Sequence, residues 1–158
     1  MRVFLGSDHA GYELKEHLVA WLKDNGHEPV DCGAFTYDAV DDYPPFVLRA
    51  AERTVADPAS RGIVIGGSGN GEAIAANKVE GVRAALVWSE DTARLAREHN
   101  DANVVSLGAR QYSVEEATRF VEIFLGTAYS EEARHTRRIR MISDYESTSE
   151  LPSLPNES

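Results

Sequence analysis

Short apolar runs alternate along this chain with longer stretches whose apolar residues recur every three or four positions. Val3-Phe4-Leu5 reads as a strand. From Gly11 to Asn25, Leu14, Leu18, Trp21 and Leu22 share one face of an amphipathic helix that Gly26 stops. Glu28 to Cys32 predicts a second strand, and Asp42-Tyr43-Pro44-Pro45 opens a helix through Phe46, Val47 and Ala50 towards Val55. Ile63-Val64-Ile65 is the third strand, β-branched as buried parallel strands are. A turn with four glycines in six residues follows it, and then an alanine-rich helix running to Lys78. Arg83 to Trp88 predicts the fourth strand, Glu90 to His99 a helix and Val104 to Leu107 the fifth strand. Val114 to Leu125 and Glu131 to Tyr145 predict two closing helices.

Strands alternating with helices imply βαβ units and a parallel sheet covered on both faces. The expectation is a three-layer α/β/α, Rossmann-like domain with a five-stranded parallel sheet and a C-terminal helix. It spans residues 1–146, and the Ser-, Pro- and Glu-rich tail 147–158 is expected to be disordered. Ligands in such sheets bind beyond the carboxyl ends of the strands. Gly6-Ser7-Asp8-His9 after the first strand, Gly67 to Glu72 after the third and Gly108-Ala109-Arg110 after the fifth should therefore share a rim. His99-Asn100 precedes a strand, which puts it at the opposite rim of its own subunit. If it serves the same chemistry, a second subunit is the economical explanation.

Composition narrows the class. A chain of 158 residues fits one domain with a proper core. It has no apolar run long enough to span a bilayer and no charged-then-apolar leader before its first strand. The single Cys32 has no partner for a disulfide or a cysteine metal site, so a reducing cytoplasm is the plain reading. A net charge of −10 argues against general binding to nucleic acid or an anionic membrane.

Candidate chemistry concentrates in the glycine turn. Its bare backbone lets N–H groups face a ligand at a helix N-terminus, which attracts negative charge. Glu72 comes immediately afterwards, and a carboxylate there repels phosphate. It suits a base working beside a developing oxyanion. The turn ends Gly71-Glu72, not in the Gly-Lys-Ser/Thr of a P-loop. Its Gly67-x-Gly69-x-Gly71 spacing on the third strand is not the dinucleotide fingerprint either. The plainer alternative is a tight turn whose Glu72 complements the helix dipole.

Other candidates carry plain alternatives too. Asp8, beside His9, could be only a helix cap. Arg134 to Arg140 holds four of the sixteen Lys and Arg residues. Arg134 and Arg138 lie one helical turn apart and can converge on one anion, with His135 on the same face as Arg138. The alternative is a solvated face paired with Glu131 and Glu132. A small phosphorylated ligand fits this patch better than nucleic acid. His99 at a helix C-terminus is also favoured electrostatically without any function. Cys32 reads as a partly buried structural thiol, and the histidines show no metal-site spacing.

Together, Gly6-Ser7-Asp8-His9-Ala10-Gly11, Asp42-Tyr43-Pro44, Gly66 to Glu72 through Ala75-Ala76-Asn77-Lys78, Glu98 to Asn103 and the Arg134 to Arg138 cluster resemble the ribose-5-phosphate isomerase B family, in order over residues 1–146. Many members place a catalytic Cys at the position of Gly66. The actinobacterial branch instead uses a Glu at the position of Glu72, and the chain looks most like that branch.

The resemblance implies a cofactor-free, metal-free aldose–ketose isomerase acting on ribose 5-phosphate and ribulose 5-phosphate through an enediolate, in the pentose phosphate pathway. It implies a cytoplasmic homodimer with active sites shared between subunits. Glu72 would be the base, His99 the acid that opens the sugar ring, and Asp8 a partner to the hydroxyls or to proton transfer. Gly67, Ser68, Gly69, Asn70 and Gly71 would line the enediolate, with Ser68 and Asn100 holding hydroxyls. His9, Arg110, Arg134 and Arg138 would grip the phosphate, with His135 beside them. The nearest alternative is a galactose 6-phosphate or allose 6-phosphate isomerase on the same scaffold. Further away lie a non-catalytic sugar-phosphate or nucleotide module and a basic-helix nucleic-acid contact.

Overall fold

The computed structural model describes residues 1–156. Strands β1 (Arg2–Ser7), β2 (Glu28–Asp31), β3 (Arg61–Gly66), β4 (Ala84–Leu86) and β5 (Val104–Gly108) form one sheet in the order β2-β1-β3-β5-β4. Every neighbouring pair is parallel. The helices are α1 (Tyr12–Asp24), α2 (Pro44–Ala56), α3 (Asn70–Ala76), α4 (Glu90–Glu98), α5 (Val114–Gly126) and α6 (Ala133–Thr148). A 3-10 turn, His9–Gly11, leads into α1. No described helix is long and apolar enough to cross a membrane.

Side chains alternate across a strand, so each strand feeds two cores. Val3 and Leu5, Ile63 and Ile65, and Val105 and Leu107 bury against α1, α4 and α5, where Leu18, Ala93 and Phe124 meet them. Phe4, Val64 and Val104 face the other way, onto Val47, Ala50 and Ala51 of α2 and Ala76 of α3. Two apolar faces on one sheet give the three-layer α/β/α sandwich and explain the near-continuous apolar strands.

Of the boundaries that differ from expectation, two have clear local reasons. β4 is shorter than Arg83 to Trp88 because polar side chains capture both ends. The Arg83 N–H donates to Asn103 Oδ1 at 2.8 Å, and the Trp88 N–H to Thr92 Oγ1 at 3.2 Å, in the cap of α4. At the other end of the chain, α6 runs past Tyr145 into the expected tail. The Ser147 and Thr148 hydroxyls both donate back to the Asp144 carbonyl, and left-handed Ser149 closes the helix onto the Tyr145 carbonyl. Residues 149–156 follow without helix or strand, and positions 157 and 158 of that tail lie outside the described residues.

The chain first moves outward from β1 to β2, then returns to place β3 on the other side of β1. This reversal opens a crevice between the loops that follow β1 and β3, where such sheets bind ligands. Asp8 and the glycine turn lie on its two sides.

Candidate active site

The glycine turn is tied down from β5. Gly69 adopts φ 86°, a left-handed value that favours glycine. Its carbonyl accepts a hydrogen bond from the buried Ser106 hydroxyl at 2.7 Å. Beyond β5, the N–H groups of Ala109 and Arg110 donate to the Gly66 and Gly67 carbonyls at 2.8 and 3.0 Å. This zipper lays Arg110 against Gly67, where an added Cβ would stand 3.3 Å from its Nη1. Tyr112 fixes the same corner, accepting from the Gly108 N–H and donating to the Val87 carbonyl. Burial pushes its phenol up to about 12, so the donor keeps its proton.

Glu72, in the first turn of α3, is buried. Its carboxylate folds back over Gly66 and fills the place a Cβ would take. Burial raises its pKa above the ordinary carboxylate value, and the nearby Asp8 charge adds to the rise. The amides of Glu72 itself and of Gly69 oppose it without cancelling it. A carboxylate held this way takes up a proton more readily than an exposed one, as a general base working near neutral pH requires.

Across the crevice, Asp8 performs the plain capping role, with Oδ1 accepting from the Ala10 and Gly11 N–H groups at 3.0 and 3.3 Å. It also lies close enough to raise the proton affinity of both Glu72 and His9. Two neighbours escaped the sequence reading. Asp41 Oδ1 accepts from both the backbone N–H and Nδ1 of His9. The Tyr43 hydroxyl fits so closely over Gly71 that a Cβ there would overlap it. Asp41 carried no signal, since it sits in an irregular loop with other acids. Tyr43 lay within the Asp42-Tyr43-Pro44 motif, which was the available hint. Asp8, His9 and Asp41 also bring three ligand-type atoms within 4.8 Å of one another. Within this trio, His9 Nδ1 is engaged with Asp41 Oδ1 at 2.8 Å.

The remaining candidates gather elsewhere. His99 ends α4, and its ring stacks on that of His135 with centroids 4.1 Å apart and planes 18° apart. Burial lowers the His135 pKa, and His99 and Arg134 lower it further. His135 Nε2 is buried without a hydrogen-bond partner among the described residues. Arg134 pairs with Glu132 at 2.9 Å, an exposed ion pair of the kind expected of a solvated face. Because the sheet is parallel, His99-Asn100 ahead of β5 and Arg110 beyond it lie at opposite rims. The five residues of β5 separate them by about 16 Å at the usual rise per residue. The candidate residues thus fall into two groups at opposite rims of the sheet. Asp8, His9, the Gly67 to Gly71 turn with Ser68 and Asn70, Glu72 and Arg110 form one; His99, Asn100, Arg134, His135 and Arg138 belong to the other.

Known proteins resemble this chain in sequence and fold. The chain is 59% identical over 155 residues to ribose-5-phosphate isomerase B of Mycobacterium tuberculosis, covering 98% of this chain and 96% of that one. It is 58% identical to the protein of the same name from Mycolicibacterium paratuberculosis, covering 98% of both. Among solved structures, ribose-5-phosphate isomerase B of Mycoplasma genitalium with bound ribulose-5-phosphate superposes with a TM-score of 0.90 at 42% identity, over 93% of this chain and 97% of that one. The Clostridium thermocellum ribose-5-phosphate isomerase B also gives 0.90, at 40% identity over 95% and 100%. Residues 3–142 match the sequence pattern of the Ribose/Galactose Isomerase family, and to that family the chain belongs.

Proposed function

We propose that this chain interconverts D-ribose 5-phosphate and D-ribulose 5-phosphate through an enediolate, in active sites completed across a homodimer. One observation carries the reading: a buried carboxylate, Glu72, lies against an amide-lined glycine turn, with Asp8 across the crevice and the cationic Arg110 beside it. Five relatives at 57–59% identity are named ribose-5-phosphate isomerase B, which favours the pentose over a six-carbon sugar.

Isomerisation moves a hydrogen from carbon 2 of the open aldose to carbon 1. Glu72 takes the carbon-2 proton, and the electrons left behind form the enediolate, whose charge settles on the carbon-1 oxygen. N–H groups of the Gly67 to Gly71 turn stabilise that charge; one such donor is typically worth about 10²- to 10³-fold in rate. Protonated Glu72 then returns the proton to carbon 1 while the carbon-2 hydroxyl passes its proton to the carbon-1 oxygen, a transfer assigned to Asp8. General-base catalysis of this kind contributes about 10²- to 10⁴-fold. His99 opens the sugar ring, and Ser68, Asn70 and Asn100 hold hydroxyls. His9, Arg110, Arg134 and Arg138 bind the phosphate with His135 beside them, which orients the reacting carbons. Side chains and amides supply every step, so the reading calls for no cofactor or metal. Ribose 5-phosphate as substrate fits a role in the pentose phosphate pathway, and a cytoplasmic setting is part of the same proposal.

The homodimer rests on the separation of the two groups, each read as a half-site. A second copy that brings its His99 and Arg134 to Arg138 face onto the first copy's glycine turn completes the set. The exposed Ile74 on α3 and Trp88 after β4, each 64% accessible, give that contact an apolar surface close to the turn. His135 Nε2, with Glu132 Oε2 at 3.9 Å but no hydrogen bond among the described residues, leaves a position for a donor or acceptor from a second copy.

Incubating the purified protein with ribose 5-phosphate and a chelator should yield ribulose 5-phosphate. No product at any protein concentration would sink the reading. Galactose 6-phosphate and allose 6-phosphate should turn over more slowly in the same assay, and a faster rate with either would transfer the assignment to the six-carbon substrate.

A further inference from the structure

Asp41 reaches into the half-site from the loop between β2 and α2, and one of its oxygens does two jobs. Oδ1 accepts from the His9 backbone N–H at 2.8 Å and meets His9 Nδ1 at 2.8 Å. A carboxylate at neutral pH has no proton to give, so Nδ1 must carry the hydrogen of that second bond. The ring is thereby fixed in both orientation and tautomer, with Nε2 left for whatever enters the crevice. Asp41 is itself held firmly. Its side chain is only 10% exposed, its N–H donates to the Asp38 carbonyl at 3.2 Å, and the Tyr37 ring stands T-shaped to the imidazole with centroids 6.5 Å apart.

We infer that Asp41 is a positioning residue for substrate binding, which fixes the His9 ring by its bond to Nδ1 so that Nε2 is offered to the substrate phosphate. The inference rests on the proposed assignment of His9 to the phosphate. A phosphate dianion gains most from a charged donor of fixed direction, since charge-assisted hydrogen bonds are about twice as strong as neutral ones. The groups that face His9 favour this state. Asp41 hydrogen-bonds the ring and raises its pKa most, and the Asp8 and Asp41 charges raise it further. Partial burial and Arg110 pull the other way without prevailing. Arg110, across from His9, opposes a charge on the ring, and Asp41 offsets that opposition. Asp41 touches no reacting atom; it acts through the imidazole.

Asp41→Asn separates charge from geometry, because an amide oxygen can still accept both N–H groups. In a proton NMR titration of the ligand-free enzyme, the His9 imidazole should lose its proton at lower pH in D41N than in the wild type. Steady-state kinetics at the pH where the two titrations differ most should show KM for ribose 5-phosphate raised by up to about tenfold, the scale of one lost charge-assisted bond, with kcat within about twofold. At pH 6, where the ring is charged without help, the KM difference should shrink. Asp41→Ala should keep a raised KM at both pH values, because the ring is then also free to turn. An unmoved His9 titration in D41N overturns the role of Asp41 whatever the kinetics show. A moved titration together with a wild-type KM in His9→Ala instead removes the phosphate from His9, and the positioning role of Asp41 falls with it.

Discussion

Gly66 and Glu72 compete for one volume: a Cβ on the glycine would overlap the glutamate carboxylate, which packs onto the bare backbone at the end of β3. Family resemblance places a catalytic Cys at the position of Gly66 in many members. On this backbone the two solutions exclude each other, because a side chain at 66 and the carboxylate from 72 cannot fill the same place. The obstructed atoms are the far end of a flexible side chain, so Gly66→Ala should fold with Glu72 swung aside. Its kcat should fall about 100-fold, the lower end of what a general base contributes, with KM changed far less. Kinetics alongside a thermal melt check this, and a wild-type kcat would mean that the carboxylate does not work from its place over Gly66.

Glu72→Gln is expected to trade activity for stability. Loss of the base should cost about 10²- to 10⁴-fold in kcat. The stability effect follows from the raised pKa of Glu72, caused first by burial. The folded chain holds this proton to higher pH than the unfolded chain does, so stability falls as pH rises from the ordinary carboxylate value through the folded value. Below that window both states are protonated and nothing is lost. The glutamine variant carries no such penalty and should melt above the wild type at pH 8 but level with it near pH 4. The same shift sets the acid limb of kcat/KM, which should lie above the ordinary carboxylate range and vanish in the variant. Equal melting points at pH 8 would count against burial as the dominant influence on this group.

The arginines of α6 should not be equivalent. Arg134 already pairs with Glu132 at 2.9 Å, whereas no ion pair engages Arg138 among the described residues. Arg138→Ala should therefore raise KM for ribose 5-phosphate about tenfold, as loss of a bond to a charged phosphate implies, and Arg134→Ala should raise it less. Initial rates over a range of substrate concentrations read both. An unchanged KM in the Arg138 variant would return the cluster to the status of a solvated face.

Much of this was legible in the sequence because it is periodic or local. Strand runs such as Ile63-Val64-Ile65 alternate between two cores, and that alternation needs nothing beyond residue spacing. The Gly66 to Glu72 turn was readable because glycine spacing and one acid sit together in the chain. The hold of Asp41 on His9 was not, because it joins residues 32 positions apart through a loop without periodicity. The extension of α6 through Thr148 was missed for the opposite reason. Serine and threonine in a polar tail suggest disorder by composition, yet their hydroxyls bond back to the Asp144 carbonyl and prolong the helix.

Separation of His99 from Arg110 by the length of β5 yields the most demanding test. If each site takes Glu72 from one subunit and His99 from its partner, then Glu72→Gln and His99→Ala dimers are both inactive while their mixed dimer keeps one intact site. Random reassortment of equal amounts makes half of the dimers mixed, so about a quarter of wild-type activity should return, given two-fold symmetric pairing. The mixture should be denatured and refolded together, or co-expressed, and compared with the same variants mixed without exchange. Sites built within one chain would recover nothing, since every subunit would then carry a lesion in its own site. A quarter recovered after exchange, and none before it, would assign His99 to the partner subunit and make the dimer a requirement of the chemistry.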